Sequence, residues 1–170
     1  YYTPLRKEWV VNQVLKVPFN SDNKRMTSIY YLADRNMLRV FVKGAPDRLI
    51  ADTTHIQYSD GRVEVADAAA RERLEAVYRE FASKAYRTLL VGYMDVPAAD
   101  FLHHPDAPIN DITNPDGGRF HVDLHETPLD RRIVCQAIYG VEDPVREKVP
   151  EAVRQCLAAG ITVRMVTGDV

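Results

Sequence analysis

The chain has 170 residues, 46% of them hydrophobic and 27% charged, with a formal net charge of −2. That length holds one substantial core, or one domain and part of a second. The near-neutral balance offers no basic surface for nucleic acid, and no apolar run reaches the roughly 18 residues of a spanning helix. Nothing at its start reads as a signal peptide. Cys135 and Cys156 lie far apart in apolar patterns. They read as buried reduced thiols rather than a disulfide, which goes with a cytosolic setting.

In chain order, residues 9–19 read as a strand with Val11, Gln13, Leu15 and Val17 on one side. Asn20-Ser21-Asp22-Asn23 is a turn cluster, 26–33 a second strand, Asp34-Arg35-Asn36 a second turn and 38–42 a third strand. Such short loops predict an antiparallel meander. Pro46 sits near the start of a short helix over 46–51, and strands at 53–57 and 62–65 flank Ser59-Asp60-Gly61 as a hairpin. The longest predicted helix covers 67–86, with Leu74, Val77, Phe81 and Ala85 facing the core. A strand follows at 88–94. Residues 97–128, rich in Pro, Gly, Asp and His, read as an exposed or mobile insertion. A last strand over 133–141 precedes Asp143-Pro144, where the chain turns. Beyond it, Pro150 suits a first helical turn, and Val149, Val153, Cys156 and Leu157 form one apolar stripe. Gly160 closes that helix, and the apolar run 161–166 predicts a largely buried strand ending at Thr167-Gly168-Asp169. Periodicity alone joins 133–141, this helix and 161–166 into a βαβ unit.

Several groups are able to carry phosphate chemistry. Phe19, at a strand end, precedes Lys24 across the turn, so a ring and a cation are offered to a purine and its phosphates. A strand-end phenylalanine is also ordinarily core, and a turn lysine ordinarily solvated. Lys43-Gly44 follows the third strand and precedes the short helix, where glycine permits close backbone approach. It lacks the longer glycine loop of a Walker site. Arg87, after the long helix, reads first as a helix-end cation. Thr167, Gly168 and Asp169 gather a hydroxyl, bare backbone and a carboxylate, groups suited to a magnesium phosphate. His103-His104 and His121 with His125 lack both helical spacing and a nearby cysteine, so no metal site is expected.

Asp143-Pro144-Val145-Arg146 followed by Met165-Val166-Thr167-Gly168-Asp169 resembles the P-type cation-transporting ATPases, most of all their plasma-membrane calcium pumps. The resemblance extends to Phe19…Lys24-Arg25-Met26 and to Lys43-Gly44-Ala45-Pro46, with Asp47 replacing the usual glutamate. It implies an α/β (α+β) fold, a mainly antiparallel twisted sheet flanked by helices. A nucleotide-binding domain lacking its N-terminal part would span 1–142 and a hinge 143–146. Residues 147–170 would begin the second segment of the phosphorylation domain, which separates the last helix and strand from the sheet. By the same resemblance Phe19 stacks on adenine, Lys24 lies beside the nucleotide, Lys43 sits deep in the ATP site next to the matching Gly44, and Lys43 and Arg87 hold the polyphosphate. Asp143 and Arg146 belong to the hinge, and Thr167, Gly168 and Asp169 to the phosphate site.

The resemblance also implies ATP as ligand, Mg²⁺ in the full pump, and the phosphorylation, actuator and membrane domains as partners. The setting would be the cytoplasmic part of an integral membrane protein. The family's phosphorylated aspartate stands in Asp-Lys-Thr-Gly, which occurs nowhere in this sequence. No residue here is therefore expected to be catalytic, and the isolated chain is expected to be inactive. A second reading is a non-catalytic interaction module with the same fold, no nucleotide, and 97–128 as a docking loop.

Overall fold

The computed structural model describes residues 12–109, 118–142 and 144–166. Within them a seven-stranded sheet runs β1 (Gln13–Val17), β2 (Arg25–Leu32), β3 (Met37–Gly44), β6 (Arg87–Pro97), β7 (Ile133–Val141), β4 (Thr53–Gln57) and β5 (Val63–Val65) in spatial order. All neighbours are antiparallel except β4 and β7. The expected α/β architecture, mainly antiparallel, is the one observed. The meander β1–β2–β3 follows from its short turns. Asn20 accepts the Asn23 amide through its side chain at 2.7 Å, and Asn36 turns the next corner with φ 51°.

Strand alternation sorts the side chains. Ile29, Leu38, Val40, Val42, Leu90, Ile133 and Cys135 point into one core. Helices α1 (Pro46–Asp52) and α2 (Ala68–Ser83) flank the sheet, α1 supplying the buried Leu49 and Ile50. Asp67 caps α2 by accepting the Ala70 amide at 2.7 Å. The Cys135 thiol is pushed up to about 11 by burial, so at neutral pH it stays protonated and inert.

Several expectations need correction. A bulge between Gln13 and Leu15 breaks the alternation of β1, and both Val14 and Leu15 pack on the core. Val11 lies outside the described residues. Helix α2 ends at Ser83, with Ala85 exposed at φ 55° and Val77 exposed; Ala70 is buried, Leu74 and Tyr78 pack on the core, and Phe81 lies instead against Tyr86. Of the expected insertion 97–128, the structure describes 97–109 and 118–128; residues 102–106, 121 and 125–128 are exposed there, while others reach the core. Phe120 is buried against Tyr31, with ring centroids 4.7 Å apart, and bridges join Leu102 to Phe120 and Ile109 to Gly118. Its Pro and Gly content hid the widely spaced anchors Ala98, Phe101 and Phe120. Cys156 is only half-buried.

The largest departure concerns 161–166, which forms no strand and is exposed throughout. The physical reason is topological. Both edges of β7 are occupied, by β6 and by β4, so no parallel slot remains beside it. Helix α3 (Val149–Ala158) forms as predicted, closed by Gly160 at φ 76° with the Ile161 amide donating to Cys156 O at 2.9 Å. Its apolar stripe buries no residue.

Candidate functional site

The face of the sheet opposite the core carries Met26, Ser28 and Tyr30 from β2 and Arg39, Phe41 and Lys43 from β3. Phe41 meets Tyr30 edge-on at 5.9 Å. Arg39 lies over Tyr93 at 4.7 Å and pairs through both nitrogens with Asp95, at 2.7 and 2.6 Å. That bidentate hydrogen bond holds the guanidinium above its ordinary value. Between these rings and Lys43 lies a cleft of about 350 Å³, lined by Met26, Ser28, Tyr30, Phe41, Lys43 and Gln136 among others.

Register places the predicted site residues at one end of the sheet. Val17, closing β1, faces Thr27; Arg25, opening β2, faces Gly44; Gly44, closing β3, faces Leu90 of β6. Phe19, Lys24, Lys43, Gly44 and Arg87 therefore gather where β1 and β3 end and β2 and β6 begin. Lys43 and Gly44 are the last two residues of β3 rather than residues beyond it, and Arg87 is the first of β6, opposite Val141. Lys43 lines the cleft; Phe19, 58% exposed, stands in the loop outside the lining.

Gly44 answers a backbone demand of its own. A Cβ there would lie 2.4 Å from the Lys24 carbonyl and 2.9 Å from Arg25 Cα. The close approach is to β2, and it sets Lys24 beside the Gly44 corner. Lys24 adopts φ 50°, its carbonyl accepts the Ala45 amide at 3.0 Å, and its ammonium stands 3.9 Å from Asp47. Arg146 is exposed, its carbonyl accepting the Val149 amide at 2.9 Å. Asp143, Thr167, Gly168 and Asp169 lie outside the described residues.

Sequence reasoning missed Ser28, Tyr30, Phe41 and Gln136 as cleft residues. The signal was present in β3, where Arg39, Phe41 and Lys43 alternate with Leu38, Val40 and Val42. It missed a buried ion network as well. Arg25, 5% exposed, donates to Asp52 at 2.6 Å and to the Asp130 carbonyl at 2.8 Å, while Thr27 donates to the Asp130 carboxylate at 3.1 Å. Its members are separated by too much sequence for spacing to reveal them. Among the described residues no group of three His, Cys, Asp or Glu side chains is placed to hold a metal ion, and no helix is long and apolar enough to cross a membrane.

A mainly antiparallel sheet with helices on its core face and one lysine, Lys43, in a cleft on the opposite face outlines a class, and comparison with known proteins identifies it. A family model described as P-type ATPase, cytoplasmic domain N, matches residues 1–148, and the chain belongs to that family. Its relatives include Calcium-transporting ATPase 2, plasma membrane-type, of Arabidopsis thaliana. That protein is 37% identical over 158 residues, covering 92% of this chain and 13% of the relative. Plasma membrane calcium-transporting ATPase 3 is 34% identical in Rattus norvegicus and 33% in Homo sapiens, each over 99% of this chain and 12% of the relative. The chain thus spans about an eighth of the length of these relatives.

Proposed function

We propose that this chain is the ATP-binding part of a plasma-membrane calcium-transporting pump, on its cytoplasmic side. The observation that supports this most is the gathering of Phe19, Lys24, Lys43, Gly44 and Arg87 at one sheet end beside the cleft. In this reading Phe19 stacks on adenine, while Lys24, Lys43 and Arg87 attract the polyphosphate. The contribution is positioning, which lowers the barrier to phosphoryl transfer without covalent chemistry by this chain. The accepting aspartate belongs to another part of the pump, since no Asp-Lys-Thr-Gly occurs here. Residues 1–142 form the nucleotide domain, 143–146 the hinge toward the phosphorylation domain, and 147–170 part of that domain. The names of the relatives support calcium as the transported ion. Thr167, Gly168 and Asp169, the groups suited to a magnesium phosphate, lie outside the described residues. The core packing of Ala98 and Phe120, in the described parts of 97–128, speaks against a docking module built on a free loop.

Titration with ATP, followed by amide chemical shifts, tests the proposal. Saturable shifts at Phe19, Lys24 and Lys43 are expected, with Kd on the order of 0.1–1 mM, or about −4 to −5.5 kcal/mol. No shift up to 10-fold above about 1 mM would overturn it.

A further inference from the structure

We propose that Arg25 is a positioning residue for the nucleotide site: it clamps helix α1 so that Lys24 presents its cation in a fixed position. The inference rests on the ATP-binding reading above and adds a residue that reading does not use.

The geometry begins with two consecutive residues at the start of β2. The Lys24 carbonyl accepts the Ala45 amide at 3.0 Å, just before α1 begins at Pro46. The Arg25 guanidinium donates to Asp52, the last residue of α1, at 2.6 Å. One dipeptide therefore holds α1 at both ends. Asp47, in the first turn of α1, stands 3.9 Å from the Lys24 ammonium, so the helix sets the position of that ammonium's neighbouring carboxylate. The same guanidinium reaches across the sheet to the Asp130 carbonyl at 2.8 Å, tying the Leu129–Arg131 turn to β2. Arg131 approaches Asp52 from the other side, at 3.6 Å. Thr27 donates to the Asp130 carboxylate, so that carboxylate is held as well.

Arg25 and Asp130 are buried and Asp52 is partly so, and a buried charge that loses its partners is costly. A planar guanidinium is suited to bridging two acceptors at once, where a lysine ammonium acts as a point charge. Lys24 has the left-handed backbone with φ 50° and lies against Gly44. A non-glycine residue keeps that conformation only where its surroundings impose it. The surroundings here are Gly44–Ala45 on one side and the Arg25 clamp on the other. Loosening the clamp frees Lys24 to relax, and its ammonium then samples positions away from the phosphates.

Coupling between Arg25 and Lys24 is the test, because a residue that served stability alone would leave the effect of Lys24 unchanged. ATP affinity is measured for the unsubstituted chain, Lys24→Ala, Arg25→Met and the double variant, with circular dichroism and a denaturant titration confirming that each is folded. Lys24→Ala is expected to weaken ATP about fivefold in the unsubstituted chain, near the upper range for an exposed charge pair, and less than about twofold beside Arg25→Met. Arg25→Lys, which retains a charge but cannot bridge both acceptors, should restore part of that coupling. Equal effects of Lys24→Ala in both backgrounds overturn the inference and leave the ATP reading standing. Failure of the unsubstituted chain to take ATP overturns the functional reading, and this inference with it. Should Arg25→Met fail to fold, Asp52→Asn breaks the same clamp while keeping the side-chain shape, and the same cycle with Lys24→Ala decides the matter.

Discussion

Strand β3 and the run 161–166 are built from the same kinds of residues and meet opposite fates. Met37–Gly44 carries Leu38, Val40 and Val42 into the core between β2 and β6. Ile161, Val163, Met165 and Val166 are as apolar, yet the last two are 88% and 95% exposed and the run pairs with no strand. Intrinsic β preference does not separate them. What separates them is a neighbour able to take the backbone N–H and C=O groups, which β3 has on both sides. A βαβ unit after β7 would need a free edge, and β4 and β6 fill both.

The largest expected effect lies on the β3 side of this contrast. Leu38→Ala removes a side chain with no exposed surface from the core cluster. It should cost about 2–5 kcal/mol in a urea titration, with the spread set by how far the cavity collapses. A loss below about 1 kcal/mol would mean that β3 is not the centre of the core.

Next in size is Gly44→Ala, at the point where β3 becomes part of the site. The added methyl must displace the Lys24 carbonyl, 2.4 Å away, which is backbone and cannot swing aside. A loss of about 1–3 kcal/mol in stability is expected, with weakened ATP binding as the β2 corner shifts. If the glycine serves only a ligand's approach, ATP affinity falls while denaturant stability stays unchanged.

How much of this was legible in the sequence depends on how local each feature is. The turn at Asn20–Asn23 and the Gly160 helix end are short-range and legible, whereas Asp67, expected as the first residue of its helix, is instead the cap that precedes it. The gathering of Phe19, Lys24, Lys43 and Arg87 at one end was implied by motif likeness. Its geometric basis, the β3–β6 pairing, spans too much sequence for periodicity to reach. The Arg25–Asp52–Asp130 cluster was invisible for the same reason. Composition hid the core contacts in the described parts of 97–128, because turn-forming residues outnumber the few, such as Ala98 and Phe120, that are buried.

Smaller effects fall on the ligand contacts. Phe19 is exposed, so Phe19→Ala should leave stability within about 0.5 kcal/mol while removing roughly 1 kcal/mol of stacking. ATP, ADP and AMP should weaken by similar factors, with little salt dependence. Arg87→Ala should weaken ATP and ADP more than AMP, and the gap should narrow as salt screens the phosphate charge. Fluorescence titrations of both variants against the three nucleotides check the two patterns together. An unchanged affinity in Phe19→Ala would remove the ring from the adenine contact.

The smallest effect tests the other half of the contrast. Val163 is 45% exposed, and its run of chain makes no ladder, so a β-branched side chain there has neither a pleated surface nor a cross-strand neighbour to pack against. The preference of strands for valine over alanine is a packing preference, spanning about 1 kcal/mol when a neighbour is present and vanishing when none is. Val163→Ala should therefore leave the urea midpoint of this chain unmoved, within about 0.5 kcal/mol. The same substitution at Val40, which has no exposed surface and lies opposite Ile29 and Met94, should destabilise measurably. In a longer chain that supplies a neighbouring strand, Val163→Ala should acquire a cost approaching that of Val40→Ala. A substantial loss at Val163 in the present chain would show that 161–166 is already packed in solution, and that the exposure separating it from β3 is not a property of this molecule.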